Sequence, residues 1–334
     1  MDRNNYSLVL IDGSFILTRA LFAVTRGKSP EEVGPGDIMK LNLQTINKLA
    51  RDWSISGCKV IVIWDKWGEE YNGYIRSYLL KDHLKYKGSR KYITEDDLKN
   101  LTGKELEKAE KEYKLNLLKV ATKEAMINEF PKLGIGTYLY PGYEFDDIAT
   151  LASFELVGKT EKPNIIVTKD TDLTYSVSPW CNFFSLPTYG SSPKIITYKE
   201  MLETVPKELR DKGLGLYQYG AMMNAAGFLG HNDMTPTKKK GVNSVKTLSD
   251  IMDGDYSGIK NPELFNLQYQ TYDVSKFPHY EEVRNDILSF MTEGKMGNIE
   301  EFRRVCKEYG ITDISDSYYL GLITRFDEKY FSEL

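Results

Sequence analysis

The sequence predicts an α/β fold, a parallel twisted sheet with helices on both faces, from three observations: four short apolar runs of strand length, helical segments between them, and carboxylates just beyond each run. The runs are residues 8–11, 60–64, 137–140 and 165–167, each bounded by turn or polar residues as buried strands are. Between the first two, Leu41, Leu43, Ile46, Leu49 and Ala50 recur close to helical spacing in residues 41–53, and residues 145–156 are similar. Strands that alternate with helices build parallel sheets, and ligands of such sheets bind beyond the carboxyl ends of the strands. Those positions hold Asp12, then Asp65, then Glu144 with Asp146 and Asp147, then Asp170 with Asp172. Asp and Glu make up 48 of 334 residues, about one position in seven, so acidic residues after all four runs exceed chance unless they converge on something positive.

Elsewhere the chain reads differently. Residues 86–130 are highly charged, opening on Thr94-Glu95-Asp96-Asp97 and continuing with helical charge spacings such as Glu107 to Lys111, the pattern of solvated helix. Beyond about residue 205 the strand pattern fades and helical signals dominate, interrupted by a Gly- and Lys-containing turn from 230 to 247. A second, helical domain is expected over 206–334. Hydrophobic residues at 41% and charged residues at 28% are those of a soluble globular protein, and no run reaches the roughly 18 apolar residues of a membrane span. Cys58, Cys181 and Cys306 lack metal-ligand spacing, which favours a reducing cytoplasm over a disulfide framework. A net charge of −4 argues against a protein that coats nucleic acid indiscriminately, although residues 81–91 and 238–240 are locally basic.

Carboxylates gathered at one edge raise each other's proton affinity unless a cation compensates. Oxygen-only ligation by Asp and Glu suits Mg²⁺ or Mn²⁺ and disfavours zinc. Two such ions can hold a phosphate, activate water and stabilise a leaving oxygen, which is the chemistry of phosphodiester hydrolysis. The competing explanation is that strand-end Asp residues cap the helices that follow. Capping accounts for single residues but not for Asp146-Asp147 beside Glu144, or for Asp170 and Asp172 one residue apart.

The ordered blocks Leu10-Ile11-Asp12-Gly13-Ser14, Trp64-Asp65, Tyr143-Glu144-Phe145-Asp146-Asp147-Ile148-Ala149 and Thr168-Lys169-Asp170-Thr171-Asp172-Leu173, with Tyr86-Lys87-Gly88-Ser89-Arg90, resemble the flap endonuclease and 5′-3′ exonuclease family, particularly its bacteriophage-type members that include phage ribonuclease H. The resemblance covers the first two-thirds of the chain. It implies a PIN-like nuclease core over 1–205 with a helical arch at about 92–128, and a structure-specific 5′ nuclease acting on DNA flaps, 5′ ends or RNA–DNA hybrids, as in removal of RNA primers during phage replication. Asp12, Asp65, Glu144 and Asp146 would then serve the metal position that activates water, with Asp147, Asp170 and Asp172 nearer a second. Lys87 would reach the scissile phosphate, Arg90, Arg76 and Lys81 would steer the backbone inward, and Tyr86 would offer a stacking face. The implied setting is a monomer in the host-cell cytoplasm, working with replication proteins and away from membranes.

Over about 220–250 the chain resembles the family's helix-three-turn-helix element, whose turn amides grip duplex backbone around a monovalent cation such as K⁺. Lys240, Gly241, Val242 and Lys246 are the candidate DNA contacts there. The family places two Asp residues just ahead of this element, whereas this chain has Gly230-His231-Asn232-Asp233, with His231 at the first Asp position and Asp233 one place off. Asp233 is therefore the remaining ligand candidate, and the second metal site departs from the pattern. That departure motivates an alternative, a structure-specific DNA-binding protein that keeps the fold and has weakened catalysis. An aspartate-nucleophile phosphatase or receiver domain is a further rival, but Gly13-Ser14 follows Asp12 where that chemistry places a second Asp.

Overall fold

The computed structural model describes residues 4–53, 55–56, 59–80, 93–160, 162–187, 192–226, 244–292 and 297–323. Its first half runs β1 (Asn4–Asn5), β2 (Leu8–Asp12), α1 (Gly13–Val24), α2 (Pro35–Asp52), β3 (Ile55–Ser56), β4 (Lys59–Ile63), α3 (Ile75–Leu80), α4 (Glu95–Leu98), α5 (Gly103–Glu129), β5 (Gly136–Tyr138) and α6 (Phe145–Glu155). Then follow β6 (Asn164–Thr168), β7 (Cys181–Ser185), β8 (Lys194–Ile196), α7 (Tyr198–Leu202), α8 (Lys207–Asp211), α9 (Leu216–Ala225), α10 (Ser244–Met252), α11 (Pro262–Gln270), α12 (Tyr280–Thr292), α13 (Ile299–Glu308) and α14 (Asp316–Ile323).

Six strands form the main sheet in the order β5-β4-β2-β6-β7-β8. The four expected runs are its first four neighbours and all run parallel, so their carboxyl ends lie on one edge. From β2 the chain moves outward to β4 and β5 on one side and to β6 and β7 on the other, which makes the β2/β6 boundary the topological switch point. The expectation of a parallel sheet needs one correction: β8 pairs antiparallel with β7, with Phe184 opposite Ile195. Neither strand was expected. The mixed pattern of Cys181–Ser185 and the three-residue Lys194–Ile196, half-exposed at the sheet edge, carry little periodicity.

Alternation along the strands divides the core in two. Leu8, Leu10, Ile61, Ile63, Ile166 and Phe183 face one apolar cluster, and Val9, Ile11, Val60, Val62, Ile165, Val167 and Phe184 face the other. Both faces are covered, so the strands read as nearly continuous apolar runs. The first cluster is closed by α6 and also by residues after 205, including Leu216, Met222, Phe265, Val283 and Ile287. On the second face α1, α2 and the inner half of α5 are joined by Phe302, Val305 and Tyr319 of α13 and α14. The helices beyond 205 thus share their apolar contacts with the sheet on both sides.

The charged segment expected to form an arch contains α4 and α5. In α5 the outer half is mostly exposed, while Thr122, Ala125 and Met126 of the inner half are buried. The element is therefore solvated helix at one end and core helix at the other.

Candidate metal centre at the carboxyl edge of the sheet

Asp12, Asp65 and Asp170 are each held by hydrogen bonds, some from the adjacent chain and some from distant segments. Asp12 is the N-cap of α1: its Oδ1 accepts from the Phe15 amide at 2.8 Å, and its Oδ2 accepts from the Thr168 hydroxyl at 2.9 Å. The second bond crosses the switch point from β6. Asp65 lies two residues beyond β4; its Oδ1 accepts from the Phe145 amide at 2.8 Å and its Oδ2 from the Ser14 hydroxyl at 3.2 Å. One carboxylate thus ties the end of β4 to the starts of α1 and α6. Asp170 caps the turn after β6 by accepting from the Asp172 amide at 3.0 Å, and its own amide donates to the Thr168 hydroxyl at 3.2 Å. Capping does not exhaust these carboxylates, since each bond leaves lone pairs on the same oxygens.

Gly13 follows from this packing. A Cβ there would stand 2.6 Å from the Trp64 ring and 2.9 Å from the Ile63 carbonyl oxygen, so only glycine lets α1 start this close to the end of β4.

Electrostatics show which carboxylates share a basin. The Asp12 proton affinity is pushed up to about 7 from an ordinary 3.8 by burial and by Asp65, with Asp170 adding to the repulsion. Asp146 is raised well above its ordinary value by burial, then by Asp170, with Glu144 and Asp12 contributing and Arg76 opposing. Asp12, Asp65, Asp146, Asp170 and Glu144 therefore repel one another across the switch point.

The expectation that all seven strand-end carboxylates gather within a few ångströms is corrected. Among the described residues no group of three or more His, Cys, Asp or Glu side chains stands close enough together to hold an ion as placed. Asp147 is engaged elsewhere: it is 1% exposed, its Oδ1 accepts from Arg76 at 2.6 Å, and its Oδ2 accepts from the Glu144 amide at 3.0 Å. It closes the capping box of α6. Arg76, expected to steer the DNA backbone, is 9% exposed, bonded to Asp147, 3.9 Å from Asp146 and set over the Tyr272 ring. Its charge faces inward beneath the basin.

Of the remaining candidates, Asp172 is half-buried beside Asp170, and Lys246 is exposed on α10. Lys81, Tyr86, Lys87, Arg90, Asp233, Lys240, Gly241 and Val242 lie outside the described residues, as does His231.

Three residues at this edge were missed. Ser14 and Thr168 stand inside the quoted acidic blocks, so a small hydroxyl beside each carboxylate was a readable signal. Lys123 of α5 had none: its ammonium donates to the Asp65 carbonyl at 2.7 Å and sits 5.7 Å from the Trp64 ring, and burial lowers its proton affinity. It fastens the inner half of α5 to the carboxylate edge.

The raised Asp12 value has a measurable consequence. The native state favours the neutral carboxyl, so its contribution is fully present below about pH 4 and is lost as pH rises through about 7. In chelator the melting temperature should therefore carry a component that falls across this interval. Asp12→Asn should flatten that component, and an unchanged slope in the variant would refute the assignment.

At the level of sequence no family model and no curated protein matches the chain. Its three-dimensional arrangement is the PIN-like fold of flap endonucleases and 5′-3′ exonucleases. It is similar to a bacteriophage T5 protein crystallised with metal ions, at 18% identity and a TM-score of 0.54 over 86% of this chain and 99% of that one. T5 5′-exonuclease with bound zinc gives 18%, 0.53, 86% and 99% for the same quantities. The bacteriophage T5 flap endonuclease, in a pseudo-enzyme-product complex with DNA and metal ions, gives 18%, 0.52, 86% and 100%.

Proposed function

We propose that the chain is a divalent-metal-dependent, structure-specific 5′ nuclease that hydrolyses phosphodiesters at DNA 5′ flaps or 5′ ends, with RNA–DNA hybrids as a further substrate. The observation that carries this reading is the mutual repulsion of Asp12, Asp65, Asp146 and Asp170 at the switch point of a sheet with this fold. Such an all-oxygen set fits Mg²⁺ or Mn²⁺. The residues that would hold the metal are Asp12, Asp65, Asp146 and Glu144, with Asp170 and Asp172 toward a second position and Asp233 a further candidate there. Bound metal would polarise the scissile phosphate and lower the pKa of water. Thr168 and Ser14 keep Asp12 and Asp65 aimed, Arg76 and Asp147 form the floor, and Lys87 and Arg90 would meet the phosphate, with Tyr86 against an unpaired base. Lys246, at the start of α10, would meet duplex backbone, with Lys240, Gly241 and Val242 preceding it and K⁺ as the monovalent ion.

A second reading, a structure-specific DNA-binding protein with weakened catalysis, is favoured by the spacing of the carboxylates, none of which form a ready-made cage of three among the described residues. The two readings separate on a 5′-labelled flap and a blunt duplex, each incubated with Mg²⁺, Mn²⁺ or chelator. Cutting that requires the metal supports the nuclease. Tight binding without cutting under either metal would overturn it in favour of the second reading.

A further inference from the structure

We infer that the hairpin following Asp65 is a stacking platform for an unpaired nucleobase, with Trp67 as its ring; this rests on the nuclease reading above. Trp67 follows Asp65 by two residues, so its Cα lies within about 7 Å of that of a carboxylate in the proposed centre. A large apolar side chain is normally withdrawn from water, yet Trp67 is 49% exposed and Tyr78 is 52% exposed.

The exposure is built into a braced backbone. Gly68 and Gly73 exchange amide-to-carbonyl bonds of 2.9 and 3.1 Å, the Lys66 amide donates to the Tyr143 carbonyl at 3.1 Å, and the Gly142 amide donates to the Lys66 carbonyl at 2.9 Å. Beneath them Tyr71 is buried, packed against the glycine pair Gly68 and Gly142, so the position a tucked-in ring would take is already filled. Tyr78 sets its ring edge-on to Tyr71 at 5.5 Å. Gly73 has φ +151, and a Cβ there would lie 3.9 Å from the Trp67 Nε1, so its lack of a side chain keeps the indole uncovered.

Local charge selects the part of a nucleic acid that fits. Glu69 and Glu70 are exposed at the hairpin tip, where they repel phosphate, while Lys66 is exposed on the side nearer Asp65. An aromatic face between carboxylates accepts a base more readily than a backbone, and the lysine lies where the strand would turn toward the metal centre. Stacking of this kind is indifferent to sequence because every base has a π-face.

The test measures binding to a 5′ flap, in chelator so that nothing is cut, for wild type, Trp67→Ala and Trp67→Phe. A second flap carries abasic nucleotides in its unpaired segment. The expected result is a Kd about 10-fold weaker for Trp67→Ala on the natural flap, in the range of loss of one base stack, with Trp67→Phe retaining most of the affinity. On the abasic flap all three proteins should bind alike. Equal affinity of Trp67→Ala and wild type for the natural flap would overturn the platform, as would an equal loss on both flaps. If wild type cuts flaps with Mn²⁺ but binds the natural and abasic flaps equally, the platform alone fails; if wild type neither binds nor cuts, both readings fall.

Discussion

Asp146→Ala should lower kcat/KM on a 5′ flap by about 10³-fold or more while leaving the melting temperature unchanged or higher, because the same repulsion that prepares this carboxylate for a metal opposes the folded state. Asp146 sits at the start of α6, with its proton affinity raised by burial, Asp170, Glu144 and Asp12. A group whose folded value is raised above its unfolded value is most favourable to folding below the unfolded value and withdraws stability as pH rises through the folded one, so above the ordinary carboxylate range this side chain is a cost that alanine removes. A side chain that only capped its helix would behave in the opposite way, losing stability with activity preserved. Thermal melts in chelator and single-turnover cleavage in Mg²⁺ give the two readouts. Retained cleavage would remove Asp146 from the proposed centre.

Its neighbour should give the reverse signature. Asp147→Ala is expected to cost about 3–5 kcal/mol, since it removes the 2.6 Å carboxylate partner of a buried guanidinium, with Asp146 more distant at 3.9 Å, and the capping bond to the Glu144 amide. Arg76 and Asp147 have side chains only 10% and 1% exposed, so water cannot replace the lost partner. At this chain length the loss corresponds to a fall in melting temperature of roughly 4–7 °C. The double variant Arg76→Met, Asp147→Leu should be less destabilised than Asp147→Ala, because replacing both members of a buried pair with apolar side chains leaves neither of the two charges in the interior. A single variant melting within about 2 °C of wild type would show that the pair does not hold the floor of the basin.

These opposite expectations for adjacent residues mark the limit of what Asp146-Asp147 reveals as a dipeptide. On a helix successive side chains point about 100° apart, so one of the pair can face the sheet edge while the other turns inward. The sequence offers no sign of which does which, because the deciding partner, Arg76, is 71 residues away from Asp147. The same holds for Lys123, 58 residues from the Asp65 carbonyl it meets. Asp12 is different: its role as an N-cap follows from Gly13-Ser14-Phe15 alone, and only its bond to Thr168 needs the β2/β6 pairing.

The four buried strands, the helices at 41–53 and 145–156, and the carboxylate after each strand were determined by the sequence itself, since apolar runs, helical period and turn chemistry are local properties of neighbouring residues. Only the tertiary structure decided that the sheet ends in an antiparallel β8, that helices after 205 close both of its faces, and that Asp147 and Arg76 neutralise each other under the basin while Asp12 and Asp146 are left in mutual repulsion. The physical reason is that burial and charge pairing are set by which distant segments meet, and a carboxylate's environment, unlike its position, is a property of the whole fold.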